Sequence, residues 1–327
     1  MDKTIAASQT SQGLQAPGSR QHATPAQLVD ALNVIFGKQR PGVRANHAKG
    51  VDLEGEFRPS ALASSVSKAP HLQKASVPIT VRFSNFGGNP AVSDADGLAS
   101  PRGMSIRFRL PDGSDTDIVA HSYNGFPVAT AEELREFLLA LAASGPGVVN
   151  KPTPLDDFLG AHPITKTFLE SQIPPPVSYG TVSYYGVNTF KFTNAKGAVT
   201  FGRYQIRPVD GDQSLPKAEA ANAEPNYLAK EIRQRVGCGP VRFTLVLEIA
   251  EPGDKLDDPS IAWPSTRRKV ELGAIEITQS LIDNAAAERQ LVFNPGGLPP
   301  GIEAVDPMIQ ARSDAYLVSY QRRTTSE

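Results

Sequence analysis

Short runs of alternating apolar and polar residues, each closed by Gly, Pro or Asp, recur along this chain of 327 residues. They read VPITVRFSNF (77–86), MSIRFRL (104–110), DGSDTDIVAHSYN (112–124), SYGTVSYYGVNTFKF (178–192), AVTFGRYQIRP (198–208), VRFTLVLEIAE (241–251) and VELGAIEITQ (270–279). A period of two gives a strand one face for a core and another for different company. About eight such strands with few, segregated helices predict an α+β fold, an antiparallel β-barrel with helical additions. A closed barrel of this size has room inside for one sizeable ligand.

Residues 1–23 are polar and rich in Ser, Gln and Gly, with no apolar run to serve as a signal-peptide core, and are expected to form a loosely held arm. A single domain is expected over 24–327. Thr24, Pro25 and Gln27 spell a capped helix start, and Leu28, Leu32, Ile35 and Phe36 share one face before Gly37 stops it. Thr130 and Glu133 cap a second helix, whose Leu134, Phe137, Leu138 and Leu141 face inward. A Pro-rich connector with short helical pieces covers 145–176, another helix lies near PNYLAKEIRQRV (225–236), and a last one starts at about Pro307.

A formal net charge of -1 excludes the strongly basic surface that nucleic acid or anionic membrane partners require. No apolar stretch reaches bilayer length, so a cytoplasmic protein is expected. The lone Cys238 excludes a disulfide framework and a multi-cysteine zinc site. None of the five histidines forms a metal-spaced pair. His22, His71, His121 and His162 read as packed or turn residues. His47, in VRANHAKG, is open to three readings: metal ligand, proton-transfer group or packed side chain. Taken singly, Arg44, Arg82 and Arg323 read as solvated arginines and Phe137 as a core residue.

Seven segments together resemble the haem catalase superfamily, nearest to its shorter catalase-related peroxidases. They are RANHAKG (44–50), VPITVRFS (77–84), PRGMSIRF (101–108), NGFP (124–127), GVNTFKFTNAKG (186–197), FNPGGLPPGIE (293–303) and RSDAYLVSYQRR (312–323), in the family's order and near its spacing. One short motif recurs by chance; seven in order do not. The resemblance implies an antiparallel eight-stranded catalase-type barrel, with haem b (iron protoporphyrin IX) buried between barrel and helices.

It also implies roles. Tyr316 is the axial iron ligand, the tyrosine of catalases. A free tyrosine titrates near ~10, so it needs a cation, and Arg312 one helical turn earlier can donate to its oxygen. Tyr320 lacks an arginine at that spacing. His47 carries the peroxide proton, Asn124 hydrogen-bonds the peroxide, and Ser84 orients His47. Phe137 stacks on the haem face, Met308 packs on the tyrosine side, and Arg44, Arg82 and Arg323 hold the propionates. Three positions depart from the family. Asn46 replaces the usual valine and makes the pocket more polar. Asn188 replaces a histidine that links the axial arginine to an aspartate, with Asp306 and Arg312 kept, and Met104 stands where Phe is common.

The implied function is a haem peroxidase reducing organic hydroperoxides and hydrogen peroxide with a small organic reductant, with weak catalase activity. Missing outer elements should shorten and widen its channel, and short arms suit a homodimer. The alternatives are a true catalase, a fatty-acid hydroperoxide rearranging enzyme of the allene oxide synthase type, and a barrel that binds haem without turnover.

Overall fold

The computed structural model describes residues 22–37, 41–73, 75–145, 147–282 and 284–325. Most of the expected arm, residues 1–21, lies outside the described residues. His22 and Ala23 both meet the carboxylate of Glu132.

The strands are β1 (Gly50–Pro59), β2 (Val77–Ser84), β3 (Gly103–Arg109), β4 (Asp115–His121), β5 (Tyr184–Thr193), β6 (Val199–Pro208), β7 (Val241–Ile249), β8 (Lys269–Ser280) and β9 (Ile302–Ala304). Their order is β4-β3-β2-β1-β8-β7-β6-β5-β9, with every pairing antiparallel. The bridge His121↔Tyr185 joins β4 to β5 and closes an eight-stranded barrel, leaving the short β9 attached outside. The helices are α1 (Pro25–Phe36), α2 (Ala63–Val66), α3 (Ala131–Ala142), α4 (Pro154–Ala161), α5 (Pro163–Glu170), α6 (Lys217–Ala221), α7 (Tyr227–Cys238), α8 (Asn284–Gln290) and α9 (Met308–Thr324).

The barrel interior is solid. Val51, Leu53 and Phe57 of β1, Ile79, Val81 and Phe83 of β2, and Met104, Ile106 and Phe108 of β3 meet Phe192, Phe243 and Leu245 from the far side, all fully buried or nearly so. Each such side chain contributes roughly 1.5–3 kcal/mol by leaving water. The expectation of a ligand inside the barrel is therefore wrong: large aromatic side chains fill that space. Strand alternation sends the other set outward, namely Gly50, Asp52, Arg82, Ser84, Gly103, Ser105, Val119 and His121, because paired residues share a face.

Helices cover that outward face. Both predicted capping boxes form, at Thr24–Gln27 and Thr130–Glu133, and fix the starts of α1 and α3. Ala31, Phe137 and Leu138 pack the two helices together with Leu32, Leu134 and Phe158. α9 begins after Pro307, as expected, and lies against α1. α8 was not expected. Its sequence NAAAERQ has too few apolar residues to announce a helix.

Candidate functional site

A cavity of about 1430 Å³, counted out to its open mouth, lies between the outer face of β2–β4 and helices α1, α3 and α9. His47, Arg44, Arg82, Ser84, Phe137, Met308, Arg312, Tyr316 and Arg323 all line it. Asn124 does not. The last residue of β4, His121, lines the wall, as do Phe126 and Pro127 beyond Asn124. Position parity along β4 was the available signal, because His121 shares its outward face with Val119.

His47 is the sole non-glycine residue with positive φ (53°) among the described residues, a conformation that must be held in place. Asn46 holds it, since its side-chain oxygen accepts from the N–H of both His47 and Gly87 at 2.9 Å. The Asn46 oxygen thus clamps the backbone, whereas the sequence suggested only added pocket polarity. Arg82 donates to the His47 carbonyl at 2.8 Å, and Ser84 Oγ sits 3.1 Å from its Nδ1. The Phe86 ring packs edge-on at 5.8 Å. Gly103 backs the imidazole closely: a Cβ there would lie 2.6 Å from Ser84 Oγ and 2.9 Å from His47 Nδ1. Burial, helped by Arg82, His121, Arg312 and Arg44, lowers the His47 pKa to about 3, so the ring is neutral at ordinary pH.

His121 sits across the β3–β4 pairing from Gly103, which puts it on the His47 side of the cavity. Burial, then Arg312, lowers its pKa to about 3 as well. Its Nδ1 accepts the Tyr123 N–H at 3.4 Å, so the ring proton belongs on Nε2.

On α9, Met308, Arg312, Ala315, Tyr316, Ser319 and Arg323 form the cavity stripe at helical spacing, and Tyr320 falls outside it. Arg312 Nη2 donates to the Tyr316 hydroxyl oxygen at 3.1 Å. Its Nη1 donates to the Asn188 side-chain oxygen, whose amide in turn donates to Asp306 at 2.7 Å. The link from arginine to aspartate therefore survives the loss of histidine, because an amide accepts on one side and donates on the other.

At the far end three arginines crowd together. Burial and mutual repulsion lower Arg44 to about 10 and Arg323 to about 9. Arg44 and Arg82 both bond Glu288 of α8, at 3.1 and 2.7 Å. Glu288 was missed because α8 was missed. Gly50 makes room for this pairing, since a Cβ there would meet Arg82 Nη2 at 2.3 Å.

This donor set fits haem. One cavity holds a tyrosine oxygen carrying an arginine donor, a neutral histidine and the apolar Phe86, Phe137 and Met308, and its clustered guanidiniums call for an anionic ligand. Among the described residues no cluster of three or more His, Cys, Asp or Glu could bind a metal ion, and no helix is long and apolar enough to cross a membrane.

Comparison with known proteins points the same way. The profile of a family described as Catalase matches residues 5–327. A catalase-related peroxidase of Mycolicibacterium paratuberculosis is 37% identical over 309 residues, covering 92% of this chain and 95% of that protein. One of Synechococcus elongatus is 34% identical over 305 residues, covering 92% and 89%. Rat catalase is 27% identical over 307 residues, 88% of this chain and 57% of its own length. Among solved structures, a fungal catalase superposes with a TM-score of 0.77 at 21% identity, covering 100% of this chain and 66% of that one, which speaks for the fold alone.

Proposed function

This chain belongs to the catalase family and is an oxidoreductase acting on peroxides, and we propose that it is a haem b peroxidase whose axial ligand is Tyr316. The observation that carries the reading is the 3.1 Å donation from Arg312 to the Tyr316 oxygen inside a cavity whose other wall holds His47. An arginine N–H aimed at that oxygen marks it as an acceptor turned toward the cavity, the atom that would hold a ferric iron. Arg44, Arg82 and Arg323 are the seats for the propionates, and Phe137 and Met308 pack against the ring.

When bound, haem iron supplies the two-electron chemistry that breaks the O–O bond. The chain moves the proton. Neutral His47 takes it from the inner peroxide oxygen and returns it to the outer one, which leaves as water or, from an organic hydroperoxide, as an alcohol. Ser84 keeps the imidazole in register, and His121 Nε2–H takes the hydrogen-bonding role that the family resemblance implied for Asn124. Leu28, Val29 and Leu32 of α1 with Leu134, Leu138 and Phe168 make one wall apolar, which suits organic hydroperoxides.

Haem-reconstituted protein is expected to show the Soret band of high-spin ferric haem with an anionic oxygen ligand, and Tyr316→Phe to shift it and weaken haem retention. An unchanged spectrum in that variant would sink the assignment. Turnover of tert-butyl hydroperoxide with a phenolic dye should exceed oxygen release from hydrogen peroxide alone; the reverse order would make the protein a catalase proper. Gly103→Ala is expected to keep the fold yet lower kcat by about 10–100-fold, because its methyl displaces both Ser84 and His47. Steady-state kinetics beside circular dichroism checks this, and wild-type turnover would contradict it.

A further inference from the structure

Behind the arginines lies a carboxyl group that the peroxide chemistry does not use. Asp52 stands opposite Arg82 in the β1–β2 register, on the same outward face, and is fully buried. The Arg82 N–H groups go to Glu288 and to the His47 carbonyl, and those of Arg44 to Glu288 and the Leu291 carbonyl. Neither Asp52 oxygen meets a hydrogen-bond donor. Asp52 and the Glu288 carboxylate both flank Arg82, one across the strand register and the other in the 2.7 Å ion pair, and two carboxylates side by side bond only when one holds a proton. Charge balance agrees. The guanidiniums of Arg44, Arg82 and Arg323 against a single Glu288 charge leave two positive charges for the two propionates of haem; ionising Asp52 would leave one.

We propose that Asp52 and Glu288 share one proton and that this proton is coupled to the cofactor, haem being held tightly while the pair keeps it and released as it is lost. The inference rests on the haem reading above.

Burial, then the Glu288 charge, raises Asp52 to about 7, while Arg82 and Arg44 pull it down. The charged groups facing the pair are Arg82 from β2, Arg44 from the segment before β1, Glu288 from α8 and, beyond Glu288, Arg323 from α9. The three arginines stay charged and Glu288 ionised near neutrality, so Asp52 is the group that titrates there. Two propionates arriving beside it raise its proton affinity further. A ligand that raises a pKa binds best where the group is protonated, so haem affinity is full below about pH 7 and falls by up to about tenfold per pH unit above it.

Haem transfer from the holoprotein to apomyoglobin, followed by the Soret band between about pH 6 and pH 9, tests the coupling. Wild-type release is expected to accelerate at least about tenfold across that range, and Asp52→Asn, which imitates the protonated acid, to release slowly throughout. In haem-free protein, the Tm of Asp52→Asn should gain on wild type as pH rises from about 4 to about 7 and hold level above that. A flat wild-type profile, or an equal slope in the variant, overturns the proposal. Should Asp52→Asn fail to fold, Glu288→Gln is expected to move the transition to lower pH, and an unmoved transition overturns it equally. Failure of wild type to bind haem at all is a distinct result: it overturns the haem reading and takes this inference with it.

Discussion

Replacing His47 by alanine is expected to lower kcat/KM for hydroperoxides by about 10²–10⁴-fold, ~3–5 kcal/mol of barrier, while bound haem keeps its Soret intensity. The separation of the two readouts follows from geometry. His47 reaches Ser84 through Nδ1 and lines the same cavity as Tyr316, and in the proposed reading its ring serves the peroxide and holds no part of the propionate seat. Its pKa of about 3 leaves the base form present throughout the neutral range, so the acid limb of the pH profile should sit well below the ordinary histidine value. Ser84→Ala should cost less, because it loosens the imidazole without removing it. Wild-type turnover in a haem-replete His47→Ala protein would leave only a barrel that stores haem.

The second large effect is on stability in acid. His47, His71 and His121 are all buried, and burial lowers each to about 3. An unfolded chain protonates these rings below about 6.5, whereas the folded one resists until about 3. Unfolding therefore takes up protons in that window, and stability is lost as pH falls from about 6.5 toward 3, by ~1.4 kcal/mol per pH unit for each ring fully engaged. Asp52, with its raised pKa, works in the opposite direction between its unfolded value and about 7 and offsets roughly one ring. The three rings less Asp52 give a slope of ~3 kcal/mol per unit, large beside a typical total of about 5–15 kcal/mol, and the raised carboxyls of Asp117 and Asp306 trim it further. Urea midpoints at successively lower pH should fall steeply. His71 isolates the cause: it packs against Phe108 at 4.8 Å, far from any cavity role, with Nδ1 unbonded. His71→Leu should flatten the slope by about one ring's worth. An acid slope identical to wild type would refute the account.

Much of the architecture was legible in the sequence because strand alternation and helix caps are local. The runs at 77–86 and 104–110 became β2 and β3, and Thr24 and Thr130 capped α1 and α3 as spelled. The catalase resemblance brought His47, Tyr316 and the arginines to one cavity across more than 250 residues, which no local pattern could do. What escaped depended on exact backbone direction. His121 lines the cavity and Asn124 does not, which needs the end of β4 to be placed, and the Asn46 clamp required knowing that His47 adopts positive φ. Glu288 hid in a seven-residue helix with too few apolar residues to show a period, and Asp52 drew no notice because only the partner strand places Arg82 beside it.

The solid barrel has one further consequence. Valine and phenylalanine at 81 and 83 plug its middle, while arginine and serine at 82 and 84 serve the cavity, on the same strand and one step apart. Sliding β2 by a single residue would exchange the two sets, driving a guanidinium into grease and stranding the imidazole without its hydroxyl neighbour. If the proposed pigment is bound there, misaligned chains would be unable to capture it, and uptake of red colour by the refolding protein would report that its strands have found their correct partners.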